Sequence, residues 1–205
     1  MKTNEITERV ERYYTGKVRT HGATPAGVDW NSLASQVTRF DKLLEVCRGL
    51  EDFSLIDYGC GYGALFGHLS EQGRKCAYVG YDLSAEMVQR GQQLYGERAR
   101  FTTDASSLAR AGFTVASGIF NVRLDVAVPD WESYVHETLD RLHELSESGF
   151  AFNVLTGYSD KEYMRADLYY ADPLALFDRC KRRYSRSVAL LHDYPLYEFT
   201  ILVRK

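Results

Sequence analysis

Hydrophobic positions along this chain alternate between two periods, and their order predicts a sheet interleaved with helices. Segments with a helical period lie at residues 62–72, 84–95 and 130–146. Short apolar runs, each bounded by turn residues, predict five strands at residues 53–57, 76–82, 99–103, 113–120 and 149–155. Alternating strands and helices are typical of a parallel sheet with helices on both faces, so we expect a doubly wound α/β fold.

The pattern changes after residue 155. Residues 158–171 are irregular and aromatic, and Asp172-Pro173 then predicts the start of a helix that ends near Arg183. Two further apolar runs at residues 187–192 and 197–203 predict strands. Only four residues separate these strands, and so short a connection requires an antiparallel pair. We therefore expect a mostly parallel sheet that is closed by an antiparallel hairpin.

The first 49 residues predict a helical lid. A short helix is expected over residues 4–14, followed by a loop from Gly16 to Asp29 and a second helix that ends near Arg48. Asp29 or Asn31 is the expected cap of that second helix. The chain is thus predicted as a single domain over residues 1–205, with a lid at 1–49 and a sheet core at 50–205.

Composition narrows the classes of function. The chain has 205 residues, of which 45% are hydrophobic and 26% charged, as in globular proteins. A net charge of −3 argues against sequence-independent binding of nucleic acid, and no apolar run is long enough to span a bilayer. The four cysteines have no metal or pairing pattern. We expect a cytoplasmic monomer or homodimer that binds neither nucleic acid nor membrane nor metal.

The candidate chemistry centres on residues 57–63, Asp-Tyr-Gly-Cys-Gly-Tyr-Gly. Glycine permits a positive φ and lets the backbone approach a ligand closely. The segment joins a predicted strand to a helix start, where free N–H groups can bind polar ligand atoms. Gly59, Gly61 and Ala64 also satisfy the G-x-G-x-x-A pattern of nicotinamide-binding sheets.

The segment resembles the D/E-x-G-x-G-x-G turn of class I S-adenosylmethionine (SAM)-dependent methyltransferases. Asp82, at the end of the second predicted strand, is similar to that family's ribose-binding acid. Asp104-Ala105 resembles its adenine-side pair, and residues 117–121 resemble the end of its fourth strand. The resemblance extends from about residue 50 to the C-terminus. It implies seven strands in the order 3-2-1-4-5-7-6, with strand 7 antiparallel.

The resemblance implies SAM as cofactor and S-adenosylhomocysteine (SAH) as product. A carboxylate at Asp82 can accept hydrogen bonds from both ribose hydroxyls. Gln36 and Arg39 are candidates for the ligand's α-carboxylate if their helix folds over the pocket, with Lys17 or Arg19 as alternatives. The other expected cofactor-binding residues are Asp57, Gly59, Cys60, Gly61, Tyr62, Gly63, Asp82, Leu83, Met87, Asp104, Ala105, Ser117, Gly118 and Ile119.

The expected activity is transfer of a methyl group to a small-molecule acceptor by in-line displacement, in the enzyme class EC 2.1.1.-. Such a reaction requires alignment and exclusion of water more than dedicated catalytic groups. His21, in the expected lid loop, is the candidate base for an acceptor that arrives protonated. The expected acceptor-site residues are Tyr13, Tyr14, Asn121, Arg123, Tyr158 and Tyr169.

Two alternatives stay open from the sequence. The first is an NAD(P)-dependent oxidoreductase of Rossmann type. A short-chain enzyme of that class would want a Tyr-x-x-x-Lys pair, but Tyr134 is followed four residues later by Thr138. The second is a SAM-binding module without catalysis, which the sequence does not exclude because methyl transfer needs so few diagnostic residues.

Overall fold

A seven-stranded sheet forms the centre of the molecule in the computed structural model, which describes residues 3–30 and 32–205. The strand order is β3-β2-β1-β4-β5-β7-β6. Strands β1 to β5 pair in parallel, whereas β7 is antiparallel to both of its neighbours. This order confirms the one that the family resemblance implies. The strands are β1 Asp52–Tyr58, β2 Lys75–Tyr81, β3 Arg100–Thr102, β4 Ala111–Ala116, β5 Ser146–Leu155, β6 Ser187–Leu191 and β7 Glu198–Arg204.

Helices cover both faces of the sheet. They are α1 Thr3–His21, α2 Leu33–Leu44, α3 Ala64–Glu71, α4 Ala85–Tyr95, α5 Val128–Leu145 and α6 Pro173–Arg183. Two of the expected starts are confirmed by their caps. The Ser84 hydroxyl accepts a hydrogen bond from the N–H of Met87, and the Asp172 carboxylate accepts from Leu174 and Ala175.

The two faces have separate hydrophobic cores. On one face α1, α5 and α6 pack against the sheet around Trp131 and Phe152, both of which are fully buried. On the other face α2, α3 and α4 pack around Leu43 and Leu65. Burial on both faces explains why the central strands are nearly continuous apolar runs rather than alternating ones.

The N-terminal helix is longer than its sequence pattern predicts. α1 continues seven residues beyond 14, to His21, because Thr15 and Val18 extend the buried stripe that Ile6 and Val10 begin. The expected loop from Gly16 to Asp29 is therefore wrong over its first six residues, 16–21.

The second helix and the fourth strand also differ from expectation. Ser32, rather than Asp29, caps α2 by accepting from the N–H of Ser35, and the alternative cap Asn31 lies outside the described residues. β4 ends at Ala116 and not at residue 120, because the chain turns at Gly118, whose φ is 71°.

Candidate active site

A cavity lies at the carboxyl ends of β1, β2 and β4, beneath α1. The strand order reverses between β1 and β4, which is where open α/β sheets bind ligands. The described residues that line it are Thr3, Thr7, Val10, Glu11, Tyr14, Val28, Trp30, Gln36, Phe40, Asp57, Tyr58, Gly59, Cys60, Gly61, Ala64, Tyr81, Asp82, Leu83, Met87, Ser117, Gly118, Ile119, Tyr134, Glu137, Thr138 and Arg141.

The glycine turn that forms the floor of this cavity tolerates no side chains at its first two glycines. Gly59 and Gly61 have φ values of 83° and 55°. A Cβ on Gly59 would lie 2.2 Å from Cγ2 of Ile119, and one on Gly61 would lie 2.8 Å from Cγ1 of Val28. Glycine therefore meets both a conformational and a steric requirement at these positions.

The backbone N–H groups of the turn are largely used within the protein. Gly59 and Cys60 both donate to the carbonyl of Tyr81, at 2.7 and 2.9 Å. Gly61 donates to Oδ2 of Asp82 at 2.8 Å. An anion-binding cradle needs such donors free to point at the ligand. The turn is therefore poorly suited to a pyrophosphate, contrary to the free donors expected from the sequence.

Two carboxylates lie at the strand ends beside the turn. Asp57 is buried and accepts a hydrogen bond of 2.6 Å from the Tyr78 hydroxyl. Burial raises the pKa of Asp57 to about 7; the Tyr78 hydrogen bond opposes this shift, and the Asp82 charge adds to it.

Asp82 has a similar electrostatic environment. Its Oδ1 accepts from the N–H of Ser84 at 2.9 Å, and its Oδ2 accepts from Gly61. Burial raises the pKa of Asp82 to about 6, although hydrogen bonds from the Ser84 and Gly61 backbone lower it, and the Glu11 charge raises it further.

The cavity has an excess of negative charge. Among the described lining residues, four are acidic and Arg141 alone is basic. Arg141 is already engaged, because it donates to the Ala105 carbonyl at 3.4 Å and pairs with Glu144 at 3.2 Å. A buried carboxylate without a counter-charge is costly to ionise. A cationic ligand would supply the missing charge.

α1 and the segment after it cover the cavity. The Thr15 hydroxyl is 2.6 Å from the Ser84 hydroxyl, so α1 is tied to the N-terminus of α4. The following segment is tied back to α1, because the Asp29 carboxylate accepts from the Tyr13 hydroxyl at 2.8 Å and from the Lys17 ammonium at 2.6 Å.

Most, but not all, of the expected cofactor residues meet in the cavity. Those that line it are Asp57, Gly59, Cys60, Gly61, Asp82, Leu83, Met87, Ser117, Gly118, Ile119 and Gln36. Tyr62 is buried beside Gln36, and a Cβ on Gly63 would meet the Phe101 ring at 2.7 Å. Neither of these two lines the cavity.

The expected adenine-side pair lies outside the cavity lining. Asp104 is exposed and caps a 3-10 turn at Ala105–Ser107, where its Oδ1 accepts from the Ser106 N–H at 2.9 Å and hydroxyl at 2.6 Å. Ala105 does not line the cavity, but its carbonyl accepts a hydrogen bond from Arg141, which does. A local cap thus occupies the carboxylate that was expected to bind adenine.

Arg39 is not available to a ligand carboxylate in this structure. Its guanidinium makes a two-pronged ion pair with Glu198, with Nη2 2.6 Å from Oε1 and Nε 2.8 Å from Oε2. Both side chains are buried, and Arg39 does not line the cavity. No sequence pattern indicates this pair, because its members are 159 residues apart.

His21 and most expected acceptor residues also lie elsewhere. Tyr14 lines the cavity, but Tyr13 is held by Asp29, and His21 is exposed at the end of α1. Among the described residues, no histidine lines the cavity.

The remaining acceptor candidates have structural contacts instead. Asn121 accepts from the Leu155 N–H at 3.1 Å, and Arg123 donates to the carbonyl of Val126 at 2.6 Å. Tyr169 is buried near Glu132, whereas Tyr158 is 68% exposed and stacks near His192. These four residues do not line the cavity.

Sequence reasoning predicted a lid and named Tyr14 of α1, but it missed the other lining residues of α1 and those of α5 and of the segment before α2. On α5 the residues Tyr134, Thr138 and Arg141 are spaced by four and three, so they share one helix face, and this periodicity was a usable signal. The lining residues that were not expected are Thr3, Thr7, Val10, Glu11, Val28, Trp30, Phe40, Tyr58, Ala64, Tyr81, Tyr134, Glu137, Thr138 and Arg141.

Two further properties concern residues 3–30 and 32–205. Within these ranges no group of three or more His, Cys, Asp or Glu side chains is arranged to hold a metal ion. None of the helices in the same ranges is long and apolar enough to cross a membrane.

Comparison with known proteins agrees with this geometry. A family model described as a methyltransferase domain matches residues 55–144. The chain is 53% identical over 164 residues to a protein of Mycobacterium tuberculosis named "Putative methyltransferase Rv1506c", which covers 79% of this chain and 99% of that protein.

Solved methyltransferase structures share the fold. Magnesium protoporphyrin IX methyltransferase from Synechocystis PCC 6803 with bound SAH has a TM-score of 0.66 at 12% identity, covering 100% of both chains. The 1,6-didemethyltoxoflavin-N1-methyltransferase of Burkholderia thailandensis has a TM-score of 0.61 at 19% identity, covering 95% of this chain and 89% of that one.

The fold, the cavity and these matches define a SAM-dependent enzyme. The chain belongs to the class I SAM-dependent methyltransferases, with SAM as cofactor and SAH as product. The cavity fits that cofactor, because four acidic side chains and one arginine among its described lining residues leave an excess of negative charge for a cationic ligand.

Proposed function

We propose that this methyltransferase acts on a small-molecule acceptor, which it methylates by in-line displacement inside the cavity. The observation that carries the proposal is the cover formed by α1 and by Val28 and Trp30, which lie directly over the glycine turn and the Gly118 turn. An acceptor has to fit beneath this cover. The Burkholderia relative in fold, crystallised with 1,6-didemethyltoxoflavin, is named for a small acceptor of this kind.

Each proposed cofactor contact follows from the chemistry of its residue. Asp82 accepts hydrogen bonds from the ribose hydroxyls, and Leu83 and Ile119 contact the adenine. Asp57 lies on the side of the cationic groups, where its ionised form is stabilised by the ligand. Gln36, at the cavity wall, can donate its amide N–H to the α-carboxylate.

When bound, SAM supplies a methyl group that is attached to a positively charged sulfur. The protein's task is then to align the acceptor and to exclude water. Trp30 and Val28 exclude water from above the turns, and Glu11 and Tyr14 offer polar contacts from α1. Burial raises the pKa of Tyr14, so its hydroxyl remains a hydrogen-bond donor. These α1 residues replace His21 as the proposed acceptor contacts.

A nicotinamide dinucleotide is disfavoured by the same geometry. Its pyrophosphate would meet a turn whose N–H groups are already bonded within the protein, beside the Asp57 carboxylate. Calorimetric titration with SAH and with NADH separates the two cofactors, and tight binding of NADH alone would contradict the assignment.

The acceptor class is tested by SAH release. The full chain is incubated with SAM and a panel of small phenols, amines, carboxylic acids and thiols, and separately with bulk RNA and with unfolded protein. We expect SAH release with one small-molecule class, and its loss in Tyr14→Ala. Release with RNA or protein alone would contradict the small-molecule proposal, and release with none would favour a non-catalytic module.

A further inference from the structure

A closed ring of contacts lies next to the cavity and includes residues that do not line it. It begins with the buried ion pair between Arg39 of α2 and Glu198 of β7. Oε2 of Glu198 also accepts from the side-chain amide of Asn153 at 2.9 Å. Oδ1 of Asn153 in turn accepts from the backbone N–H of Gly118 at 2.7 Å. Gly118 is a cavity residue at the turn after β4.

Trp30 closes the ring. The Arg39 guanidinium lies 3.9 Å from the centre of the Trp30 ring, a cation–π distance. The far edge of the same indole lies over Gly118, where a Cβ would be 2.2 Å from Cη2 of Trp30. Trp30 is thus held between the guanidinium and the turn, and both Trp30 and Gly118 face the cavity.

Stability alone is a weak reason for such a pair. Two charges removed from water are about as favourable as a well-packed apolar pair, and are often less so. The pair here is fully buried and makes two-pronged hydrogen bonds, yet Nη1 of Arg39 has no hydrogen-bond partner among the described residues. What the pair does provide is direction, because a two-pronged geometry fixes the guanidinium plane that Trp30 stacks on.

We propose that Arg39, Glu198 and Asn153 are positioning residues that hold Trp30 and the Gly118 turn in the geometry that binds the cofactor. Glu198 orients Asn153, and Asn153 holds the Gly118 N–H in its hydrogen bond. Arg39 holds the indole flat over the same glycine. The proposal rests on the methyltransferase site described above, since Trp30 and Gly118 matter only if the cavity binds SAM.

The first test compares two side chains that make the same kind of hydrogen bond. Asn153→Ala removes the side chain that accepts from the Gly118 N–H at 2.7 Å. Ser54→Ala removes the side chain that accepts from the Gly112 N–H at 2.7 Å, near the amino-terminal ends of β1 and β4. Each variant leaves one backbone N–H without the side chain that accepts its hydrogen bond. We expect SAH affinity to fall about tenfold in Asn153→Ala and less than about twofold in Ser54→Ala.

The second test reads Trp30 directly. The chain has two tryptophans, and Trp131 is fully buried, so changes in quenching by acrylamide report on Trp30. We expect stronger quenching in Asn153→Ala and in Glu198→Gln, together with faster hydrogen exchange of the Gly118 amide. Both readouts are made without ligand.

A double variant separates positioning from stability. Glu198→Gln leaves the Arg39 charge buried and unpaired, whereas Arg39→Met combined with Glu198→Gln removes both charges. We expect the double variant to regain thermal stability while Trp30 quenching stays high and SAH binding stays weak. Recovery of SAH binding together with stability would overturn the proposal.

The outcomes also separate this proposal from the cofactor assignment. If the unaltered protein fails to bind SAH, the cofactor assignment is wrong. Acrylamide quenching and hydrogen exchange without ligand then still test whether the ring holds Trp30 and the Gly118 turn in place. A folded Asn153→Ala variant with unchanged Trp30 quenching, unchanged Gly118 exchange and the SAH affinity of Ser54→Ala would overturn the positioning role.

Discussion

Two pairs of charged residues lie near the carboxyl ends of the parallel strands, and their charges are balanced in opposite ways. Three of the four side chains are buried and Asp82 is partly buried. Arg39 and Glu198 neutralise one another through a two-pronged ion pair. Asp57 and Asp82 carry the same charge and have no basic partner within residues 3–30 and 32–205, and their pKa values are raised by burial to about 7 and about 6. The first pair is therefore neutralised within the protein, whereas the charge of the second is neutralised by protons or by a cationic ligand.

The largest effect is expected when the ion pair between Arg39 and Glu198 is broken. Glu198→Gln leaves a buried guanidinium without its counter-charge and should reduce the free energy of unfolding by about 3–5 kcal/mol. Chemical denaturation of the single variant measures this loss. A loss below about 1 kcal/mol would mean that the pair is solvated or easily replaced.

The matching change in the other pair should affect binding and not stability. Asp82→Asn removes the ribose acceptor and should weaken SAH binding by about 1–3 kcal/mol. Asparagine keeps only one of the two oxygens that accept from Ser84 and Gly61, but it also removes a charge that burial disfavours. Because these effects oppose one another, the ligand-free variant should differ from the parent in stability by less than about 1 kcal/mol at pH 8. Calorimetric titration and denaturation of the same sample check both statements. Unchanged affinity would remove Asp82 from the ribose site.

A smaller effect is expected from adding a methyl group at Gly118. Alanine at a φ of 71° costs about 1–2 kcal/mol, and here its Cβ would also collide with Trp30. Gly22→Ala is the matched control, since Gly22 has a φ of 66° and nothing within 4 Å of a Cβ. Only Gly118→Ala should also weaken SAH binding. Equal SAH affinity of the two variants would mean that the position of Trp30 does not affect the cofactor site.

The smallest expected effect is that of His21→Ala. His21 is exposed and lies outside the cavity, so methyl transfer at pH 8 should change by less than about twofold. Turnover with the acceptor found in the screen measures this. A large loss of turnover would support His21 as the base that the sequence suggested.

How well the sequence predicted each region depended on how local its contacts are. Asp57, the glycines of the turn and Asp82 lie within 26 residues at strand ends, so spacing and periodicity were sufficient to place them together. The Ser84 cap was equally local. The strand order followed from the family resemblance, which the hairpin at the C-terminus supported.

The other residues depended on packing between distant segments. Arg39 was assigned to a ligand carboxylate because the sequence does not reveal that Glu198, 159 residues away, is its partner. Asp104 was predicted to bind adenine, but its carboxylate accepts a hydrogen bond from Ser106, two residues further along the chain. Trp30 lines the cavity and stacks on Arg39, a contact that no periodicity encodes.

The raised pKa of Asp57 also predicts how stability responds to pH. The folded pKa of Asp57, about 7, exceeds its ordinary value of 3.8, so the folded protein binds more protons than the unfolded chain between these values. The stability that this group contributes is complete below about pH 4 and is lost as pH rises through about 7. A cationic ligand reverses the trend, because it favours the ionised carboxylates.

Proton release on binding is the most direct test of the unbalanced carboxylates. SAM is titrated into the protein at pH 6.5 in two buffers that differ in ionisation enthalpy, and the difference in heat gives the number of protons exchanged. We expect net release that vanishes above about pH 8 and decreases in Asp57→Asn. Proton uptake, or binding without any proton exchange at pH 6.5, would contradict a site whose carboxyl groups ionise when a cationic cofactor binds.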